Sequence, residues 1–240
     1  MFALAGLTLD IEGPLPLAAL PFERPGRGEL SLRLCACEDL STSPLHVERC
    51  GDDYACSGGG LNGRVAAAEA ELCAWGGEGA LVAALRLACA LWLLPRGGLL
   101  LHGASLERDG EAHVFIGESG AGKTTLSRAL STGPVHVIGD EVACVKQDRV
   151  YGHPFPRRLG DGRAPDGGLP LRSLSSIAQG PVFRRAPLSG ARAARALLRR
   201  VFLPAKDARS LSLAVDAAAR LRLDALELPL DAQAARAALP

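Results

Sequence analysis

The most constraining feature of the sequence is a pair of apolar runs on either side of Asp109-Gly110. The first is GLLLHGASLER, residues 98–108, and the second is EAHVFI, residues 111–116. Asp-Gly between apolar runs signals a two-residue hairpin, because the type I′ turn needs positive φ at both central positions. With these two residues as the turn, Arg108 lies opposite Glu111, and counting back puts His102 opposite Gly117. The second strand therefore enters the glycine-rich stretch that follows while running antiparallel to its predecessor. A chain with this pair at its centre needs a mixed sheet, not an all-parallel one.

The glycine-rich stretch is Gly117-Glu118-Ser119-Gly120-Ala121-Gly122-Lys123-Thr124, which fits G-x-x-x-x-G-K-[ST]. It follows a strand (HVFI) and precedes a helix read from Lys123 to Ser131, the context that motif requires. Glycines let backbone N–H groups turn inward on phosphate oxygens, and the helix N-terminus adds partial positive charge. Lys123 reaches the β- and γ-phosphates, the Thr124 hydroxyl joins a Mg²⁺ shell, and Thr125 follows in the first turn. Residues 135–139 (VHVIG) read as a buried strand ending at Asp140-Glu141. Two adjacent acids there can divide two tasks, one holding Mg²⁺ and the other taking a proton from an attacking hydroxyl. Strand alternation lets only one face the phosphates squarely. The hairpin register also draws His102 beside the loop, where a neutral imidazole can orient a carboxylate or relay a proton.

Composition narrows the partners. A chain of 240 residues is one large domain or a domain plus a small lobe. With 48% hydrophobic and 22% charged residues it is not expected to be disordered overall. A net charge of +1 and 4% aromatic residues argue against coating nucleic acid. Of 27 basic residues only Lys123, Lys146 and Lys206 are lysine, so any one arginine carries little information. Arg157 and Arg158, just after Pro156, are the best placed to clamp phosphate or an acidic substrate. Seven cysteines and an N-terminus without a basic n-region point to a reducing cytoplasm. Cys35-x-Cys37, with His46, Cys50 and Cys56, lacks the usual spacing of paired zinc ligands, and packing on one strand face explains it. The longest apolar run, 80–95, contains Arg86 and is expected to be too short to span a bilayer.

The remaining chain reads as follows. Residues 1–65 are short extended stretches, with an alternating strand at Leu30–Cys37. Val65–Cys73 and Ala80–Leu94 are expected helices, the second apolar nearly all round and so buried. VACVKQ and RVYGH form a hairpin around Asp148, and residues 152–170 are a long loop of the functional kind. A helix runs from Ser189 to about Phe202, another ends at Arg220, a strand covers Arg222–Leu228, and Asp231 caps a last helix. The expectation is an α/β protein in the broad sense, with a mixed α+β sheet. Residues 1–95 would form a strand-rich lobe and residues 96–240 the part that carries the chemistry.

The stretch from Leu99 to Pro156 resembles the catalytic domain of HPr kinase/phosphorylase and its shorter kinase-like relatives, which share a core with phosphoenolpyruvate carboxykinases. His102-Gly103, the G-x-S-G-x-G-K-[ST] loop at 117–124 and the acid pair Asp140-Glu141 carry the likeness, in that order on a hairpin. The resemblance implies a P-loop core that uses ATP and Mg²⁺ to phosphorylate a serine hydroxyl. It implies Asp140 as base, oriented by His102, with Thr124 and Glu141 near the metal. The acceptor would belong to a protein, peptide or small molecule. The second acid is Glu where the family has Asp, and PFPRRLG stands where the family has an E-I-R-G-type segment. Phosphorolysis and HPr itself as substrate are therefore not carried over. A protein that binds ATP without transferring it, and a simple NTPase, are the alternatives. Residues 1–95 are left three uses: binding the acceptor, completing the sheet, or forming a homo-oligomer contact of the kind that assembles full-length relatives into rings.

Overall fold

A computed structural model describes residues 1–37, 43–229 and 237–239. The helix expected from Asp231 lies outside these residues. The first sheet is built from β1 (Phe2–Leu4), β2 (Leu7–Glu12), β3 (Leu30–Ala36), β4 (His46–Cys50), β5 (Asp53–Gly58), β6 (Leu61–Val65) and β7 (Glu69–Ala74). Their order is β1-β2-β3-β7-β6-β5-β4, with β2, β3 and β7 parallel and the other pairs antiparallel. In β3, Leu30, Leu32 and Leu34 are buried while Ser31 and Arg33 are exposed, as the alternation requires.

The helix expected at 65–73 is instead the end of β6, a short turn and β7. Ala and Glu favour a helix by propensity, but here the partners decide. Ala70, Leu72 and Ala74 are buried against the core while Glu69 and Glu71 are exposed, a period of two. Strand β7 is hydrogen-bonded on both sides, to β3 and to β6. The following helix, α1 (Glu78–Leu93), is buried from Leu87 through Leu93 without a break. With the turn that carries Pro95 it runs from Glu78 to Arg96, 19 residues, long and apolar enough to cross a membrane by length and composition. Its burial is that of a core helix: it packs with the first sheet and with Leu100, Cys144 and Phe155 of the second half.

The second half contains β8 (Gly98–Arg108), β9 (Glu111–Ile116), α2 (Lys123–Leu130), β10 (His136–Gly139), β11 (Val142–Lys146), β12 (Arg149–Tyr151), β13 (Leu169–Gln179), β14 (Arg184–Leu188), α3 (Gly190–Leu198), α4 (Ala208–Ala219) and β15 (Leu223–Leu228). The hairpin register is the expected one, Arg108 opposite Glu111 and Gly103 opposite Ile116. Asp109 and Gly110 both take positive φ, 54° and 80°. β9 continues the sheet by pairing in parallel with β13, which also pairs in parallel with β15, so the sheet is mixed. The VACVKQ/RVYGH hairpin forms as β11 and β12. The 11-residue β13 has no clear counterpart in the sequence pattern: its buried Leu169, Leu174 and Ile177 are spaced by serines and a proline.

Strand β7 provides the check on this half of the fold. Leu72, fully buried, is expected to lose about 2–5 kcal/mol of stability on truncation to Ala. Chemical denaturation would measure it. A loss below about 1 kcal/mol would mean that residues 69–74 do not form an interior strand.

Candidate functional site

The site forms where β8 changes partners. On one side, β10 and β11 make a nearly continuous antiparallel ladder along β8: Val137 opposite Leu106, Gly139 opposite Ser105, then Val142 opposite His102. Asp140 and Glu141 occupy the interruption, and Gly103 N–H donates to the Glu141 carbonyl (3.2 Å). The acids therefore follow the end of β10, as the sequence suggested, and β11 begins directly after them. On the other side, β9 leaves β8 at Gly103 to enter the glycine loop. A Cβ at Gly103 would fall 2.8 Å from the Phe115 carbonyl oxygen, and one at Gly117 the same distance from that of Ile177. Both ends of the loop entry thus require glycine.

The same strand explains why His102 is exposed in an otherwise buried run. Leu100, on its face of β8, packs into the first-sheet core, while Ala104 and Leu106 pack under α2. His102 falls in the gap between these two coverings.

Leu126 and Leu130 anchor α2 on the sheet beside Phe115, Val137 and Ile177. Its N-terminus is Gly122 at φ 99°, and Gly120 is at φ 78°, positions at which a side chain is strained. Lys123 is 7% exposed, and its Nζ donates to the carbonyls of Gly117 (2.9 Å) and Glu118 (3.0 Å). Burial first, and the neighbouring Arg200 charge next, pull its ammonium below the ordinary lysine value. A buried cation folded back on its own loop is a ready counter-charge for phosphate.

The long loop expected over 152–170, which ends where β13 begins at Leu169, is the clamp on the acids. Asp140 is 2% exposed; its Oδ1 accepts the backbone N–H groups of Arg158 (2.8 Å) and Leu159 (3.0 Å). Its Oδ2 is buried with no hydrogen-bond partner. Gly162 N–H donates to the Ile138 carbonyl (2.8 Å), and His153 Nε2 donates to the Val142 carbonyl (2.9 Å), tying the loop on both sides of the acid pair. Phe155 N–H points at His153 Nδ1 (3.3 Å) and the two rings stack. These two bonds specify the neutral Nε2–H tautomer, and burial pushes the imidazole down to about 4.

His102, Ser119, Gly120, Gly122, Lys123, Thr124, Thr125, Asp140, Glu141 and Arg158 line one cavity of about 330 Å³, with Gln179 from the end of β13. Three calls need adjusting, and that of Arg158 stands. Asp140 is oriented by loop amides, not by a bond to His102. Arg157 is no substrate clamp: its guanidinium donates to the carbonyls of Phe155, Gly160 and Asp161 and staples the loop. Arg158 does reach the cavity, paired with Glu141 at 3.2 Å. Of the expected loop residues, Gly117, Glu118 and Ala121 do not line it; Ala121 is buried, and Glu118 pairs with Arg200. Two residues at the glycine loop escaped sequence reading, Gln179 in the cavity lining and Arg200 outside it. Gln179 donates to the Gly120 carbonyl (2.6 Å) from an unrecognised strand, and Arg200 is one arginine among many.

Among the described residues no group of three or more His, Cys, Asp or Glu could hold a metal ion. Two carboxylates and the Thr124 hydroxyl around one cavity are instead a set that suits Mg²⁺, which keeps waters and shares phosphate oxygens. The unpartnered Asp140 oxygen fits either that cation or a proton. No protein-family model matches the chain, and no curated protein matches it as a relative.

His153 yields a prediction about pH. The unfolded chain protonates this residue near 6.5, the folded chain only near 4. The stability it contributes is complete above pH 6.5 and is lost as pH falls toward 4. Urea midpoints over that interval should drop with uptake of about one proton, and His153→Met should lack that proton whatever its absolute stability. An unchanged slope in the variant would contradict a buried, neutral His153.

Proposed function

We propose that the chain is an ATP- and Mg²⁺-dependent kinase on a P-loop core of the HPr-kinase type, moving the γ-phosphate to a hydroxyl of a protein, peptide or small molecule. One observation carries the reading: Asp140, a buried carboxylate among the residues that line the cavity of the glycine loop, has one oxygen with no hydrogen-bond partner. An unsatisfied buried carboxylate oxygen costs about 1–3 kcal/mol or more, so a site that keeps one has a use for it.

In the reaction, the acceptor hydroxyl attacks the γ-phosphorus and its proton passes to Asp140 Oδ2. The new O–P bond forms as the bond from the γ-phosphorus to the β–γ bridging oxygen breaks, and ADP leaves. Loop amides and Lys123 meet the charge on the phosphates. Thr124 and Glu141 would hold Mg²⁺, which would neutralise charge on the transferring phosphate. For Glu141 this means release from Arg158. His102, exposed at the cavity wall, would touch the acceptor. A non-transferring nucleotide sensor is the second reading, favoured by the Arg158–Glu141 pair that engages one of the two acids.

Transfer from γ-labelled ATP into protein, peptide and small-molecule pools of host extract, with Lys123→Ala as blank, separates the two. A kinase labels one pool and the blank does not; binding with no label in any pool supports the sensor. Asp140→Asn, which keeps an acceptor for the loop amides, should bind ATP as the parent does and transfer phosphate ~10²–10⁴-fold more slowly. Transfer at the parent rate would remove Asp140 from the role of base.

A further inference from the structure

We infer that helix α3 is the docking surface for an acidic stretch of the acceptor, a protein or peptide whose hydroxyl enters the cavity past His102; the inference rests on the kinase reading. Charge is the first observation. Residues 167–206 hold seven arginines, Lys206 and no Asp or Glu, in a chain whose net charge is only +1. Abundant arginine adds cations to such a stretch but does not empty it of acids. In α3 the charge is ordered: Arg192, Arg195 and the cap residue Arg199 are spaced three and four residues apart and so share one face. All three are exposed, and among the described residues their side chains have no hydrogen-bond or ion-pair partner. The opposite face carries the buried Leu197, with Ala193 and Leu198 packed beside it. Arg192 lies in the first turn, where a cation works against the helix dipole, so helix stability does not account for it.

The backbone brings the end of this face to the cavity wall. The sequence suggested a helix to about Phe202, but α3 stops at Leu198 because the next residues join β8. The Arg200 carbonyl accepts the His102 N–H (2.6 Å), Val201 bridges Leu101, and Phe202 N–H donates to the Leu100 carbonyl (2.8 Å). This segment takes the edge of β8 that β9 vacates when it turns into the glycine loop. Arg199 therefore stands one residue from the backbone that flanks His102, and His102 lines the cavity. None of the three arginines lines it, so their charge is not spent on the nucleotide there. From Arg192 to Arg199 the face runs about 10 Å, at 1.5 Å per residue. Side chains on one side of an extended segment repeat about every 6.5–7 Å, so this length meets two or three carboxylates. A membrane is disfavoured because the apolar side of α3 is packed inward and cannot enter lipid. A nucleic acid strand is disfavoured because α3 has no aromatic side chain for bases to stack on.

The test is the binding of two fluorescent probe peptides to the full chain, read by anisotropy at low salt. Both carry one serine; in one it is flanked by glutamates, in the other by glutamines. The acidic probe should bind about tenfold more tightly or better, and added salt should erase the difference. The triple variant Arg192→Gln, Arg195→Gln, Arg199→Gln should lose that preference and bind Mg-ATP as the parent does. The triple variant Arg184→Gln, Arg220→Gln, Arg222→Gln removes the same charge from exposed positions elsewhere and should keep both properties. Equal binding of the two probes by the parent, or an equal loss of preference in the two triple variants, would overturn the inference. So would an oligonucleotide or a phosphatidylserine vesicle that binds the parent more tightly than the acidic probe and loses its hold in the α3 variant; that result would assign the face to nucleic acid or to lipid. Preference for the acidic probe with no Mg-ATP bound and no label transferred to any acceptor would instead sink the kinase reading and leave α3 as a docking face for an acidic partner.

Discussion

The whole site depends on one close contact, that of Gly103 in β8 with the backbone on both sides of it. Toward β9, a side chain at this position would run into the Phe115 carbonyl oxygen. Toward the other neighbour, its N–H meets the Glu141 carbonyl. Because both flanking strands approach β8 here, three things are brought to one place: the entry to the glycine loop, the break that carries Asp140 and Glu141, and the exposed His102. Arg200–Phe202 complete the set by taking the freed edge. The chemistry is assembled by strand pairing, which is stiff, and only the clamp over Asp140 comes from a loop.

That clamp shows how a buried acid is tolerated. Two backbone amides hold one Asp140 oxygen, and the loop that supplies them is itself stitched to β10 and β11 by Gly162 and His153. Arg157 closes the loop on its own carbonyls. Half of the carboxylate is satisfied by rigid backbone and half is left over. A fold selected for stability alone would satisfy both oxygens or remove the group. The partition leaves one oxygen with fixed direction, which a positioned base or metal ligand requires.

Much of this was legible in the sequence, for local reasons. Asp109-Gly110 sets a register within a single hairpin, so His102 opposite Gly117 followed by counting. The glycine loop and the helix after it are also short-range signals. What the sequence concealed depends on partners distant along the chain. Residues 69–74 look helical by their Ala and Glu, and only the strands on either side make them a strand. Strand β13 is serine-rich and gains its place from β9 and β15. Arg157 and Arg158 are neighbours of one type, yet one staples a loop and the other faces the cavity; no local pattern separates them. Arg200 was hidden by the abundance of arginine and by a helix that ends about four residues earlier than the sequence suggests.

The most direct test of the central claim is a crystal structure of the chain with Mg²⁺ and a non-hydrolysable ATP analogue. The account predicts the triphosphate in the loop formed by residues 117–124, the metal coordinated by the Thr124 hydroxyl and Glu141, and the γ-phosphate facing Asp140 Oδ2. An analogue seated elsewhere, or one in the loop with its γ-phosphate turned away from Asp140, would contradict it.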